Sequence, residues 1–197
     1  WAMIAALTVA CLVAVAVAPA PHVGIITFLI IAVAIVGAAE SFGVLIRAMF
    51  AAACTDPLTG LLNRAGWEVG TTALLKRFQS DPVTVTVVAL DIDGLKALND
   101  TYGHRAGDRR ITEYADHWTH ALPRDGVLAR LGGDEFAACI TGDRIQGFLD
   151  AVERHTPEVS VGVATRSSPD ARVAEMYAEA DAALYRSRGR PLRDERR

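Results

Sequence analysis

Two uncharged apolar runs open the chain. Residues 2–18 (AMIAALTVACLVAVAVA) and 23–39 (VGIITFLIIAVAIVGAA) carry no charged side chain. A bilayer-spanning helix needs about 20 apolar residues to match a hydrocarbon core of about 30 Å. Trp1 extends the first run as an interfacial anchor, and Phe42–Ile46 extends the second. The Pro19-Ala20-Pro21-His22 break suits a tight turn between antiparallel helices. A secretory signal peptide followed by a core helix is the competing reading. It lacks a basic leading region, and a second apolar run follows at once. The pattern predicts two transmembrane helices over 1–39, a connecting helix over 40–54 and a soluble domain over 55–197. Arg47 is the only basic residue near either span, which favours a multi-pass protein of the plasma (inner) membrane with its soluble domain in the cytoplasm. The first residue is Trp rather than Met, so the natural N-terminus is expected to be missing.

The rhythm changes after residue 51. Trp67, Leu74, Leu75 and Phe78 fall at helical spacing and predict a helix over 64–78. Residues 83–92 (VTVTVVALDI) are β-branched and largely apolar, the mark of a buried strand. A helix over 107–121 places Ile111, Tyr114, Ala115 and Trp118 on one face. Two short strands, 127–131 and 136–140, flank Gly132-Gly133-Asp134-Glu135, which reads as a hairpin turn. A helix over 144–153, a strand over 159–165 and a helix over 171–188 complete the series, the last with Met176, Tyr177, Ala180 and Leu184 inward. A hairpin inside a β–α series predicts the α+β class: a mixed sheet with helices packed on it.

Composition narrows the function. With 51% hydrophobic residues the chain is too apolar to be disordered. Its formal charge of −3, from 20 basic and 23 acidic residues, excludes a strongly basic binder of nucleic-acid polymers. Cys11, Cys54 and Cys139 are odd in number and far apart, without zinc spacing or a disulfide framework.

The candidate chemistry lies at the strand ends. Asp91-Ile92-Asp93 terminates a buried strand, and the hairpin adds Asp134 and Glu135. Should these strands be neighbours, the carboxylates converge on one rim and repel unless they bind cations. Hard oxygen donors suit Mg²⁺. The paired glycines leave a shelf where a base or phosphate approaches the backbone, which points to two-metal phosphoryl chemistry on a nucleotide. The plainer alternatives are a helix cap at Asp91 and Asp93 and an ordinary polar hairpin at 132–135.

Leu131-Gly132-Gly133-Asp134-Glu135-Phe136 resembles the signature of the GGDEF family of diguanylate cyclases. Further stretches fit in the same order: Asp56-Pro57-Leu58-Thr59-Gly60-Leu61-Leu62-Asn63-Arg64, Leu90-Asp91-Ile92-Asp93, Lys96, Asn99-Asp100-Thr101-Tyr102-Gly103-His104, Gly107-Asp108, Ser160-Val161-Gly162-Val163-Ala164 and Ala180-Asp181-Ala182-Ala183-Leu184-Tyr185. The resemblance covers residues 54–190. It implies a palm-like mixed antiparallel sheet flanked by helices, and that two GTP molecules become cyclic di-GMP and two pyrophosphates across a homodimer, with Mg²⁺, or Mn²⁺ in its place, as cofactor. It further implies metal ligation by Asp91, the Ile92 carbonyl, Asp134 and Glu135. Asp134 would also accept the proton, and Lys96 would offset phosphate charge. The backbone at Gly94 and Leu95 would cradle phosphate. Asn99 and Asp108 would read guanine, His104 would stand at the substrate site, and Gly132 and Gly133 would form the substrate shelf.

The chain departs from the family pattern in places. The inhibitory Arg-x-x-Asp is replaced by Pro123-Arg124-Asp125-Gly126, so no inhibitory site is expected. In the tail Arg188 replaces a lysine, with a phosphate contact as its expected role. The segment between Ile140 and Glu158 is shorter than usual. These departures keep a second reading open, a catalytically weak or inactive GTP-binding signalling module. A cyclase for another nucleotide is a third. Dimerisation through the membrane helices is the expected control, since small residues such as Gly37-Ala38-Ala39 permit close helix packing.

Overall fold

The computed structural model describes residues 6, 9, 10, 13, 21–78 and 82–187. The chain divides into two compact units, Trp1–Ala52 and Ala53–Arg197.

In the first unit, helix α1 (Pro21–Ala53) runs without interruption through Glu40, so residues 40–53 are helical and continuous with the apolar stretch before them. Proline at the first helical position costs nothing, because its missing N–H has no intrahelical partner there. Thr27–Ala53 has a mean hydropathy of 2.4 and is the one stretch among the described residues long and apolar enough to cross a membrane. Of the first predicted membrane helix only residues 6, 9, 10 and 13 are described; of the predicted turn, Pro21 and His22 open α1, and Pro19 and Ala20 lie outside the described residues.

The second unit is a four-stranded sheet in the order β2–β3–β1–β4, where β1 is Thr84–Ile92, β2 Val127–Arg130, β3 Glu135–Thr141 and β4 Val159–Ser167. Every neighbouring pair is antiparallel, as the family resemblance implies; the mixed pairing suggested by the element order does not occur among the described residues. β1 and β2 do run the same way, but β3 lies between them. The central strand β1 is buried along nearly its whole length, as its β-branched run demands.

Alternation along β1 sorts its side chains onto two faces. Val88, Leu90 and Ile92 pack against α4 (His104–Ala121) and α5 (Ile145–His155), through Ile111, Tyr114, Trp118, Phe148 and Val152. Val85, Val87 and Ala89 pack against α2 (Arg64–Lys76) and α6 (Val173–Ser187), through Trp67, Leu74, Met176, Ala180 and Leu184. Trp118 anchors the first layer. It meets Phe136 edge-on at 4.9 Å between ring centroids, and its indole N–H donates to Thr156 Oγ1 at 3.0 Å. Burying such a side chain stabilises the fold by about 1.5–3 kcal/mol, and the donated bond removes the cost of an orphaned indole N–H.

One helix escaped the periodicity: α3 (Leu95–Tyr102) lies in the stretch between the predicted strand and the predicted second helix. Gly94 opens it at φ +72°, a left-handed conformation that lets β1 turn directly into the helix.

Candidate active site

Asp91 and Glu135 are direct partners across β1 and β3, the last of a register that begins at Val85 and Thr141. Directly opposed residues share a face, with Cβ atoms about 4.5–5.5 Å apart. That face is the α2/α6 side, since Ala89 and Ala137 one step inward belong to its core. Asp91 is buried at 8% exposure, whereas Glu135 is exposed. The pairing continues into the turn, where the Ile92 N–H donates to the Asp134 carbonyl at 3.2 Å. Asp134 itself is half-buried.

The hairpin is closed by Leu131 and Gly132, whose N–H groups both donate to the Glu135 carbonyl. A Cβ on Gly132 would lie 2.9 Å from Glu135 Oε2, so the glutamate carboxylate occupies space that only glycine leaves free. A cation here would meet one buried and one exposed carboxylate from paired strands, folded over a bare backbone. Mg²⁺ is commonly held by one or two carboxylates while keeping several waters and phosphate oxygens, so the residues present fit it. Among the described residues no three of His, Cys, Asp and Glu close a full cage.

Asp93 is drawn away from this pair. Its carboxylate accepts from Ser160 Oγ at 2.9 and 3.0 Å, and its N–H donates to the Glu158 carbonyl. It thereby pins the β1–α3 turn to the start of β4. Past it, no side chain caps the α3 N-terminus, so the first helical N–H groups after Gly94 are left for solvent or a ligand. Lys96 is exposed in the first turn of α3.

Asn99 and Gly107 lie in contact between α3 and α4. A Cβ on Gly107 would fall 2.2 Å from Asn99 Oδ1. That oxygen is buried and, among the described residues, is the one buried side-chain polar atom without a hydrogen-bond partner. Asp108 follows Gly107 and is exposed, as is His104 at the start of α4. A recess of about 330 Å³ lies along α3, lined by Gly94, Leu95, Leu98, Tyr102, Arg110 and Glu158. Arg188 lies outside the described residues.

Three side chains at this rim make contacts that no local sequence signal by itself assigns to the site. Arg130 donates from Nη1 to Asp56 Oδ1 at 3.0 Å and from Nη2 to the Gly133 carbonyl at 2.8 Å. Arg64 donates to the Leu131 carbonyl at 3.3 Å. Tyr177, expected as an inward core residue, is half-buried, and its hydroxyl is pushed up to about 12 by burial and by the negative charges of Glu135, Asp181 and Asp91, against the pull of Arg64. An arginine beside a glycine pair and an acid in the opening motif were the available signals for the first.

Residues 53–155 match the family model described as "Diguanylate cyclase, GGDEF domain". The chain belongs to the GGDEF family. It is 36% identical over 150 residues to an uncharacterized protein in the hutH 5′ region of Streptomyces griseus, covering 69% of this chain and 62% of that protein. It is 31% identical over 148 residues to the probable diguanylate cyclase DgcC of Escherichia coli, covering 68% of this chain and 40% of DgcC. The chain thus spans less than two thirds of either relative. Among solved structures, the coiled coil and GGDEF domain of DgcB from Caulobacter crescentus, in complex with c-di-GMP, superposes at a TM-score of 0.67 with 27% identity, covering 78% of this chain and 90% of that one. The four-stranded antiparallel sheet flanked by helices is therefore the GGDEF palm-like fold.

Proposed function

We propose that this chain is a membrane-anchored diguanylate cyclase that joins two GTP molecules into cyclic di-GMP, with two GGDEF domains meeting as a homodimer. The observation that carries the reading is the direct pairing of Asp91 with Glu135 on one face of the sheet, beside a glycine hairpin. Asp91, the Ile92 carbonyl, Asp134 and Glu135 would hold Mg²⁺, or Mn²⁺ in its place. When bound, the ions neutralise triphosphate charge and acidify the attacking 3′-hydroxyl. Asp134, on the hairpin turn, accepts the proton of that hydroxyl. Lys96 offsets charge growing on the phosphates, and the N–H groups at Gly94 and Leu95 cradle phosphate oxygens. Gly132 and Gly133 leave the shelf on which the substrate lies, and Arg188 adds a phosphate contact from the tail.

Guanine is the base that the α3–α4 contact favours. Asn99 Oδ1 is an acceptor in want of a donor, and an amine or ring N–H of guanine supplies one. Asp108 offers a second acceptor, where adenine presents no matching donor at N1; His104 borders the same end of α4. The Asp93–Ser160 bond supports an orienting role for Asp93 rather than ligation.

The apolar character of α1 supports a span of the plasma (inner) membrane, preceded by a second span within 1–39, a connecting segment over 40–54 and a cytoplasmic domain over 55–197. The deciding experiment incubates the full chain with labelled GTP and Mg²⁺, wild type beside Asp134→Ala, and separates the products by thin-layer chromatography. Cyclic di-GMP from the wild type alone is expected. Tight GTP binding by a folded dimer without product would overturn cyclase activity in favour of an inactive GTP-binding module. Equal turnover of ATP would overturn the guanine assignment.

A further inference from the structure

His117 and His155 stand apart from the acidic rim. They come from different helices, α4 and α5, yet their imidazole rings face each other with planes 9° apart and centroids 5.3 Å apart. Both are exposed. The residue after each is locked in the core: the Trp118 indole N–H donates to Thr156 Oγ1, which in turn donates to the Val152 carbonyl at 2.7 Å. That buried pair of bonds fixes the two backbones at the point where the rings meet.

Neutral imidazole is the commonest protein ligand for borderline divalent ions such as Zn²⁺, Ni²⁺ and Cu²⁺. Two imidazoles sharing one such ion through bonds of about 2.0–2.1 Å at a tetrahedral angle place their centroids about 5 Å apart. The separation here already matches. The stacked planes must turn to aim a nitrogen from each ring at one point, and the terminal torsion of histidine is broad enough to allow it without backbone movement. Asp108 sits nine residues ahead of His117 on the same helix, about 13 Å along its axis at 1.5 Å per residue, so the pair is separate from the substrate site. His120 does not join it, since among the described residues no three of His, Cys, Asp and Glu gather around one point.

We propose that His117 and His155 form a two-imidazole site for a borderline divalent transition-metal ion, Zn²⁺ in particular, which pins the C-terminal end of α4 to that of α5. Water completes the coordination, because among the described residues no third His, Cys, Asp or Glu closes on the pair. Mg²⁺, a hard ion that prefers oxygen, is excluded by ligand type.

The test is thermal melting of the metal-stripped full chain in detergent, with Zn²⁺ alone, Mg²⁺ alone or neither. Micromolar Zn²⁺ is expected to raise the melting temperature by about 5 °C and Mg²⁺ to leave it unchanged in the absence of nucleotide. His117→Ala and His155→Ala should each abolish the Zn²⁺ response, while His120→Ala retains it. An alanine variant that melts early without metal is replaced by the corresponding glutamine variant, which keeps a polar planar side chain of similar reach. A wild type indifferent to Zn²⁺, or variants that respond as the wild type does, overturns the proposal. Neither result depends on GTP turnover, so this site and the cyclase reading stand or fall separately.

Discussion

The guanidinium of Arg130 joins the carboxylate of Asp56 to the backbone of the glycine hairpin. It reaches Asp56 Oδ1 at 3.0 Å on one side and the Gly133 carbonyl at 2.8 Å on the other. The Arg130 and Asp56 side chains are mostly shielded, 13% and 17% exposed. The opening motif and the signature turn, far apart in sequence, are thereby held as one piece. Arg130→Ala leaves the Asp56 carboxylate without its countercharge and the Gly133 carbonyl without its donor. Loss of about 1–3 kcal/mol in urea denaturation of the soluble unit is expected. Asp56→Asn should cost less, because an amide oxygen still accepts from Thr59 and Arg130.

Acid should reveal the same contact. Burial alone would raise the Asp56 carboxyl, but bonds from the Thr59 hydroxyl and amide and from Arg130 outweigh it and hold the group below its ordinary 3.8. A carboxyl lowered on folding stabilises the native state above its unfolded value and loses that contribution as pH falls through its folded one. The stability gap between wild type and Asp56→Asn is therefore expected to be full above pH ~5 and to shrink below pH ~4. Denaturation midpoints at stepped pH measure it, and a gap that widens in acid would contradict the assignment.

Removing the proposed proton acceptor should separate chemistry from folding. Asp134→Asn is expected to lower turnover by about 10²–10⁴-fold. Asp91→Asn and Glu135→Gln should instead shift the Mg²⁺ dependence of GTP binding to higher concentration. All three should retain wild-type circular dichroism, and a metal titration followed by nucleotide fluorescence reads the difference.

Gly107→Ala probes the proposed guanine site from behind. Its new methyl group would fall 2.2 Å from Asn99 Oδ1, so the amide must leave its place. Overpacking of this kind costs about 1–3 kcal/mol. GTP affinity should fall with stability, whereas Gly147→Ala, with open space around its Cβ, should leave GTP affinity unchanged. Calorimetric titration of both variants distinguishes a displaced Asn99 from a general loosening.

The sheet was legible because its strands have strong local signals. The run from Val83 to Leu90 is largely β-branched and apolar, and the glycine pair marks the hairpin between β2 and β3. Helix α3 was not legible: it spans one short segment, Leu95 is its only buried residue, and it begins at a glycine with no capping side chain. For the site, the motifs named the acids, but no local pattern places Asp91 opposite Glu135. That relation is set by the pairing of two strands more than forty residues apart. Arg130 escaped for a related reason, since an arginine at a strand end reads as a solvated charge until its partner at residue 56 is brought beside it. Tyr177 reads as one more apolar position of a helix until the charges around its hydroxyl are known.

The pairing of β1 with β3 makes the acidic rim a matter of parity. Deleting or inserting a single residue within β3, between Phe136 and Thr141, would send Glu135 to the face of the sheet that carries α4 and α5, leaving Asp91 alone on its own side. A change of two residues would restore the side but displace the glutamate by about 7 Å along the strand. Length variation in this domain is therefore tolerable in its helices and connecting turns, while the two middle strands are locked in length.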